Sequence, residues 1–246
     1  VPSKNRQREY ERRRYEKWVA RQEELRARRR RRRVVIGAVV GVIALVAGIV
    51  VVAGLNRPAD LPEDPSAVPE PTGAPPDPAL AEGRTWNAVM RTSEGDITLE
   101  LDGAAAPQAV ASFVSLAQGG FFDGTYCHRL TTQGIFVLQC GDPSGTGAGG
   151  PDYRFGPIEN APDDDLYPAG TLAMARVGGD GSSMGSQFFL VYADSTIPAD
   201  EAGGYTVFGR IVDGMDVLQQ VADAGVAEGA GETPVVQVTI EGIETQ

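Results

Sequence analysis

The longest apolar stretch of the chain, VVIGAVVGVIALVAGIVVVAGL from Val34 to Leu55, runs for 22 residues without a charge. As a helix it would be about 33 Å long, enough to cross a bilayer core, and a retained transmembrane span is expected there. A signal peptide would have an apolar core of roughly 7 to 15 residues and a small-x-small cleavage site, and no convincing one precedes Arg57. Beyond Gly83 the pattern changes to short apolar runs bounded by Gly, Pro or Asp. WNAVMRT (86–92) and ITLEL (97–101), joined by SEGD, predict a hairpin. Pro107 opens a helical pattern with Val110, Phe113, Val114 and Ala117 on one face, ended by Gly119 and Gly120. YCHRLTTQGIFVLQCGD (126–142) predicts two buried strands joined by a polar turn, and TLAMA, SQFFLVY and YTVFGRIV predict further strands. A second short helix fits Asp216 to Ala222, with Val217, Leu218 and Val221 facing inward. Val236, Val238 and Ile240 alternate with Gln237, Thr239 and Glu241, which predicts a half-buried final strand. Many strands, two short helices and no βα alternation predict a mainly β domain with a closed or sandwiched antiparallel sheet.

Charge and composition divide the chain into four parts. Residues 1–33 hold 15 Lys and Arg against 5 Glu and are expected to be a basic cytoplasmic tail. Tyr15, Trp18, Val19, Gln22 and Leu25 fall near one helical face, which allows a short coiled coil or a membrane-surface helix, although a solvated tail accounts for the composition. The arginines from Arg28 to Arg33 abut the apolar run 34–55, so the positive-inside rule puts the N-terminal side in the cytoplasm and the rest outside. Residues 56–84 read as an extended linker, since 57–83 contain eight prolines, several acidic residues and few large apolar side chains. The stretch 85–246 is long enough for one well-buried core. After residue 33 there are 7 arginines, no lysine and 28 Asp and Glu, a balance that repels phosphates and argues against a nucleic-acid partner.

Candidate chemistry within 85–246 is sparse. GTGAGG (145–150) matches GxGxxG literally, yet Pro151, Asp152 and Tyr153 follow where a helix would have to open. It therefore reads as a loop beside a groove, not as a dinucleotide site. The acidic run from Asp163 to Asp165 lacks the EF-hand spacing, and neither a metal nor another cofactor is expected. His128 is the only histidine; beside Arg129 in a strand it should point to the opposite face, as a hydrogen-bonded core residue with no acid–base task. Cys127 and Cys140 follow the apolar run, and on an oxidising side of the membrane a disulfide and two free buried thiols are both open. Strict alternation argues against the bridge, because Cys127 would share a face with Arg129 while Cys140 would face away from Gln139.

Arg129 precedes Phe136 by seven residues and Gln139 by ten. With Gln187 and Phe189 it makes a planar cationic donor beside aromatic side chains, which suits an apolar, carbonyl-bearing ligand. HR (128–129), QCGD (139–142), MA (174–175), GSQFF (185–189) and VFG (207–209) occur in the order and wording of the cyclophilin family of peptidyl-prolyl cis/trans isomerases, which residues 86–244 resemble. The resemblance implies a cyclophilin-like eight-stranded antiparallel barrel capped by two helices, with the active groove on its outside. It implies Arg129 as the catalytic arginine, acting with Phe136 and Gln139, and Phe136, Val137 and Phe189 as the floor of a proline pocket. Gln139, Ala175, Arg176 and Gln187 would line the groove and hold the substrate backbone, with Ile197 and Tyr205 at its edge. Val137 stands where methionine is common, Arg176 where asparagine is usual, Ile197 with Pro198 where many members have tryptophan and leucine, and Tyr205 where histidine is usual. Two extra residues separate Arg129 from Phe136. These departures count against cyclosporin binding more than against activity. The implied function is cofactor-independent isomerisation of X-Pro bonds in exported, proline-containing polypeptides by a membrane-anchored domain; a non-catalytic peptide-binding chaperone or scaffold of the same fold is the rival.

Overall fold

A computed structural model describes residues 71–246. The basic tail 1–33, the span expected over 34–55 and most of the linker lie outside the described residues. Among the described residues no helix is long and apolar enough to cross a membrane. The end of the expected linker is packed against the domain: Gly73 N–H donates to the Asp152 carbonyl at 2.6 Å, Gln108 Nε2 to the Pro76 carbonyl at 2.9 Å, and Ala81 is fully buried. Proline content alone did not reveal this docking, because it depends on partners far along the chain.

Strands β1 (Thr85–Thr92) and β2 (Gly95–Asp102) form the expected hairpin, paired from Thr85 opposite Asp102 to Thr92 opposite Gly95. Gly95 adopts φ +134, a conformation strained for any residue with a Cβ, and so it closes the turn. Helix α1 (Pro107–Gln118) begins at its proline and ends at Gly119, as the pattern predicts. Its first turn has no side-chain cap of its own; the distant Glu159 carboxylate accepts from the Gln108 and Ala109 N–H groups at 3.0 Å each. The remaining elements are β3 (Arg129–Leu130), β4 (Val137–Cys140), β5 (Leu166–Tyr167), β6 (Thr171–Met174), β7 (Phe188–Val191), β8 (Ser195–Thr196), β9 (Val207–Asp213), α2 (Met215–Ala224) and β10 (Ile240–Thr245). The final strand starts at Ile240, later than alternation alone placed it, and continues to Thr245 against β1.

Eight strands make one curled antiparallel sheet in the order β10-β1-β2-β9-β6-β7-β4-β3, and β5 pairs with β8 separately. The continuous ring expected from the sequence is not formed, because β3 is only two residues long and offers no ladder to β10. The segment ahead of β3 meets the start of β10 instead: Gly124 N–H donates to the carbonyl of Ile240, the first residue of β10, at 2.8 Å, and Cys127 N–H donates to the Val238 carbonyl at 2.9 Å. The principal core lies beneath α1, where Phe113 sits 5.3 to 5.4 Å, centroid to centroid, from Phe122, Phe188 and Phe208. α2 closes another part of this core with Leu218 and Val221. A second, smaller cluster of Val137, Tyr167, Ala173, Phe189, Val191 and Ile197 is separate from it. That cluster supports the site.

Candidate active site

Register lines up the key side chains. Arg129 on β3 lies opposite Gln139 on β4, Gln139 opposite Phe189 on β7, and Phe189 opposite Ala173 on β6. Directly opposed residues share a sheet face, so a cationic, an amide and an aromatic side chain stand in one row. Beside that row is a pocket of about 100 Å³. Val137, Phe189, Ile135, Ile197 and Tyr205 give it apolar and aromatic walls, while Arg129, Gln139, Ala175 and Arg176 form the polar side. Tyr205 packs edge-on to Phe189 at 5.5 Å, and Tyr167 Oη accepts from the Tyr205 N–H at 2.8 Å.

Hydrogen bonds give the polar side a direction. The carbonyls of Gly147 and Gly149 accept from Gln187 Nε2 at 3.0 and 2.8 Å, which turns the Gln187 oxygen toward Gln139. Gln139 Nε2 donates to that oxygen at 2.8 Å, leaving Gln139 Oε1 to accept from Arg129 Nη1 at 3.2 Å. Each amide orientation is thus forced by the next. Arg129 Nε donates to Glu232 Oε2 at 2.5 Å, and Nη2 has no acceptor among the described residues. The glycine loop is itself held by the buried Asp142, which accepts from Ser144 Oγ and N–H at 2.7 Å each, Gly147 N–H at 2.6 Å and Gly149 N–H at 3.2 Å. Burial would raise the Asp142 pKa, but these donors outweigh it and hold the pKa below the ordinary carboxylate value.

Arg176 is committed to the protein. Its guanidinium makes a two-pronged pair with Asp200 at 2.9 Å per contact, donates to the carbonyls of Gly203 and Gly204, and lies 4.6 Å over the Tyr205 ring. The Arg176 side chain therefore holds the Tyr205 wall, and what remains for a ligand there is backbone. Hydrogen bonding by Arg176 is the leading cause that holds the Asp200 carboxyl far below its usual range. A second cavity of about 360 Å³ shares Gln139, Ala175 and Arg176 with the first and adds Gln187, Arg154 and the glycine loop.

Two expectations need correction, and one open alternative is decided. Phe136 does not line the pocket; it packs on the main core, 5.8 Å from Tyr192, and Ile135 takes the wall position instead. Alternation explains this, since 135, 137 and 139 face the site while 136 and 138 face away. His128 is not hydrogen-bonded: both ring nitrogens are buried with no partner among the described residues. Burial depresses its pKa, with Asp142 opposing and Arg129 adding to the effect. The disulfide, left open against two free thiols, is formed, and the alternation argument against it does not apply. Cys127 lies ahead of β3, where the chain has turned to meet Val238, so its side chain is not bound to the Arg129 face. Its sulfur is bonded to that of Cys140 in the core, and the two Cα atoms are 4.0 Å apart.

Four contributors were not singled out from the sequence. Ile135 could have been found from the period of two that joins it to Val137 and Gln139, whereas Tyr167, Arg154 and Glu232 reach the site only through long-range folding.

The site is thus a small apolar pocket on a curled antiparallel sheet with an arginine held at its rim. The chain belongs to the cyclophilin type peptidyl-prolyl cis-trans isomerase family, whose model matches residues 88–245. It is 44% identical over 198 residues to a probable peptidyl-prolyl cis-trans isomerase B of Mycobacterium leprae, covering 75% of this chain and 63% of that protein. Against the protein of the same description from Mycobacterium tuberculosis it is 46% identical over 193 residues, covering 73% and 59%. The chain thus spans about three fifths of the length of these relatives. A crystal structure of a Cryptosporidium parvum cyclophilin type isomerase, described as in the presence of the dipeptide Ala-Pro, superposes with a TM-score of 0.51 at 27% identity, covering 65% of this chain and 98% of that one.

Proposed function

We propose that this chain accelerates cis/trans isomerisation of X-Pro bonds in proline-containing polypeptides, using its own side chains and no cofactor. The observation that carries the reading is Arg129, held at the rim of an apolar pocket with Nη2 uncommitted. The uncatalysed bond turns over in tens to hundreds of seconds, because twisting it sacrifices amide resonance. Val137, Phe189 and Ile197 would take the apolar proline ring, and the polar row would hold the flanking backbone. In the twisted state the prolyl nitrogen regains a lone pair, and an Arg129 N–H aimed there binds that state better than the planar one. Shortening a lifetime from about 100 s to about 1 ms requires roughly 7 kcal/mol. One charged donor supplies about half of this, and the pocket and backbone contacts supply the remainder by restraining the proline.

The domain carrying this site is, in the same reading, tethered outside a bacterial membrane by residues 34–55 and acts on exported chains. What supports this is the uncharged length of that stretch and its six-arginine flank. Protease protection in sealed vesicles tests the topology, and an intact 85–246 domain accessible only from the cytoplasmic side would reverse it. The activity is tested by NMR exchange on a Xaa-Pro peptide with the wild-type chain and Arg129→Ala. Fast exchange that collapses in the variant is expected. A folded wild-type chain that binds the peptide without accelerating exchange would replace the enzyme by a peptide-binding chaperone or scaffold.

A further inference from the structure

Arg129 belongs to a two-residue strand at the edge of the sheet, and its side chain is 38% exposed. Packing therefore does little to fix a guanidinium whose task requires a defined direction, and a free arginine loses considerable rotamer entropy when it is fixed. Gln139 restrains one end through Nη1, at a relatively long 3.2 Å. The other restraint comes from Glu232, on the loop between α2 and β10, whose Oε2 lies 2.5 Å from Arg129 Nε.

This contact is built from the backbone up. The loop is closed on itself by Ala227 N–H donating to the Thr233 carbonyl at 2.8 Å and Val235 N–H to the Gly225 carbonyl at 2.9 Å. Gly229 and Gly231, at φ +75 and +66, make the reversal that brings Glu232 to β3. There the Glu232 carbonyl accepts from the Leu130 N–H at 2.6 Å, so the residue is anchored beside Arg129 before its side chain is placed. Two acceptors on different nitrogens, approached from different elements, fix both the position and the plane of a guanidinium. A single acceptor would leave it free to rotate.

Resting on the isomerase reading, we propose that Glu232 is the positioning residue for Arg129, orienting the guanidinium so that Nη2 faces the pocket. Glu232 itself lines no part of the pocket. It acts through Arg129, and its effect falls on the twisted state, where the direction of the N–H counts, more than on capture of the planar peptide.

The test uses the full chain and the variants Glu232→Ala, Glu232→Gln and Arg129→Ala, alone and combined. Glu232→Ala is expected to lower kcat about tenfold with KM changed less than about twofold. Glu232→Gln retains an oxygen acceptor for Nε and is expected to recover most of that loss. In the Arg129→Ala background, Glu232→Ala should have no further effect. Independently of activity, the Arg129 Nε–H resonance, identified by its absence in Arg129→Ala, should move and broaden in Glu232→Ala. A rise in activity, an equal loss with or without Arg129, or an unmoved Nε–H resonance would each overturn the assignment. If the wild type isomerises nothing while the resonance shifts as stated, the isomerase reading fails and the contact stands.

Discussion

Gln139 donates to Gln187 across 2.8 Å, and the direction of that one bond decides that an oxygen rather than an amide NH₂ faces Arg129. The direction originates in the glycine loop, whose carbonyls at Gly147 and Gly149 accept only from a nitrogen. Gln187→Glu removes the donor and sets a carboxylate against two carbonyls. An activity loss of at least tenfold is expected with the fold retained, measured by peptide exchange beside the thermal transition. Unchanged kcat/KM in a folded Gln187→Glu would break the link from loop to arginine.

The Arg176–Asp200 pair supports a wall rather than the chemistry. Asp200→Ala frees the Arg176 guanidinium from its two-pronged partner and loosens Tyr205, on whose ring it lies. KM for a proline peptide should rise severalfold while kcat changes little. A fall in kcat at constant KM would instead place Arg176 in the reaction.

Stability should depend on pH through His128. Its pKa is depressed in the fold by burial, so below about pH 6.5 the unfolded chain binds a proton that the folded chain resists. Stability from this group is complete above that pH and is lost as the pH falls. Asp142 has the same sign but acts only below about pH 4, where unfolded carboxyls protonate. Denaturant unfolding between pH 7 and pH 5 should therefore show a slope that His128→Leu flattens. An identical slope in the variant would assign the effect elsewhere.

The bridge between Cys127 and Cys140 encloses a short loop, with 13 positions separating the cysteines. Closing a loop of about that length restricts the unfolded chain by about 3 kcal/mol. The double variant Cys127→Ala, Cys140→Ala should lose close to that amount in urea unfolding, with activity retained at low denaturant. Loss of activity without loss of stability would mean that the bridge sets the Arg129 geometry directly.

Local pattern was enough for the β1–β2 hairpin and for both helices, the first with its proline and glycine boundaries, while the resemblance supplied Val137, Gln139 and Phe189 as expected site residues. The hairpin and helices follow from periods of two and 3.6 and from turn chemistry, which neighbouring residues specify among themselves. The order of HR, QCGD, GSQFF and VFG also carried the family. The same period of two turns Phe136 to the core and Ile135 to the pocket, but pattern could not reveal that Cys127 escapes the β3 alternation, or that Arg176 is consumed by Asp200. It had no access to Glu232, 103 residues beyond the arginine it holds. The sequence by itself determined both helices and most of the strands, the apolar faces and the presence of one arginine among aromatic residues. Only the tertiary structure decided which way that arginine points, because direction is set by acceptors that separate loops bring within hydrogen-bond distance.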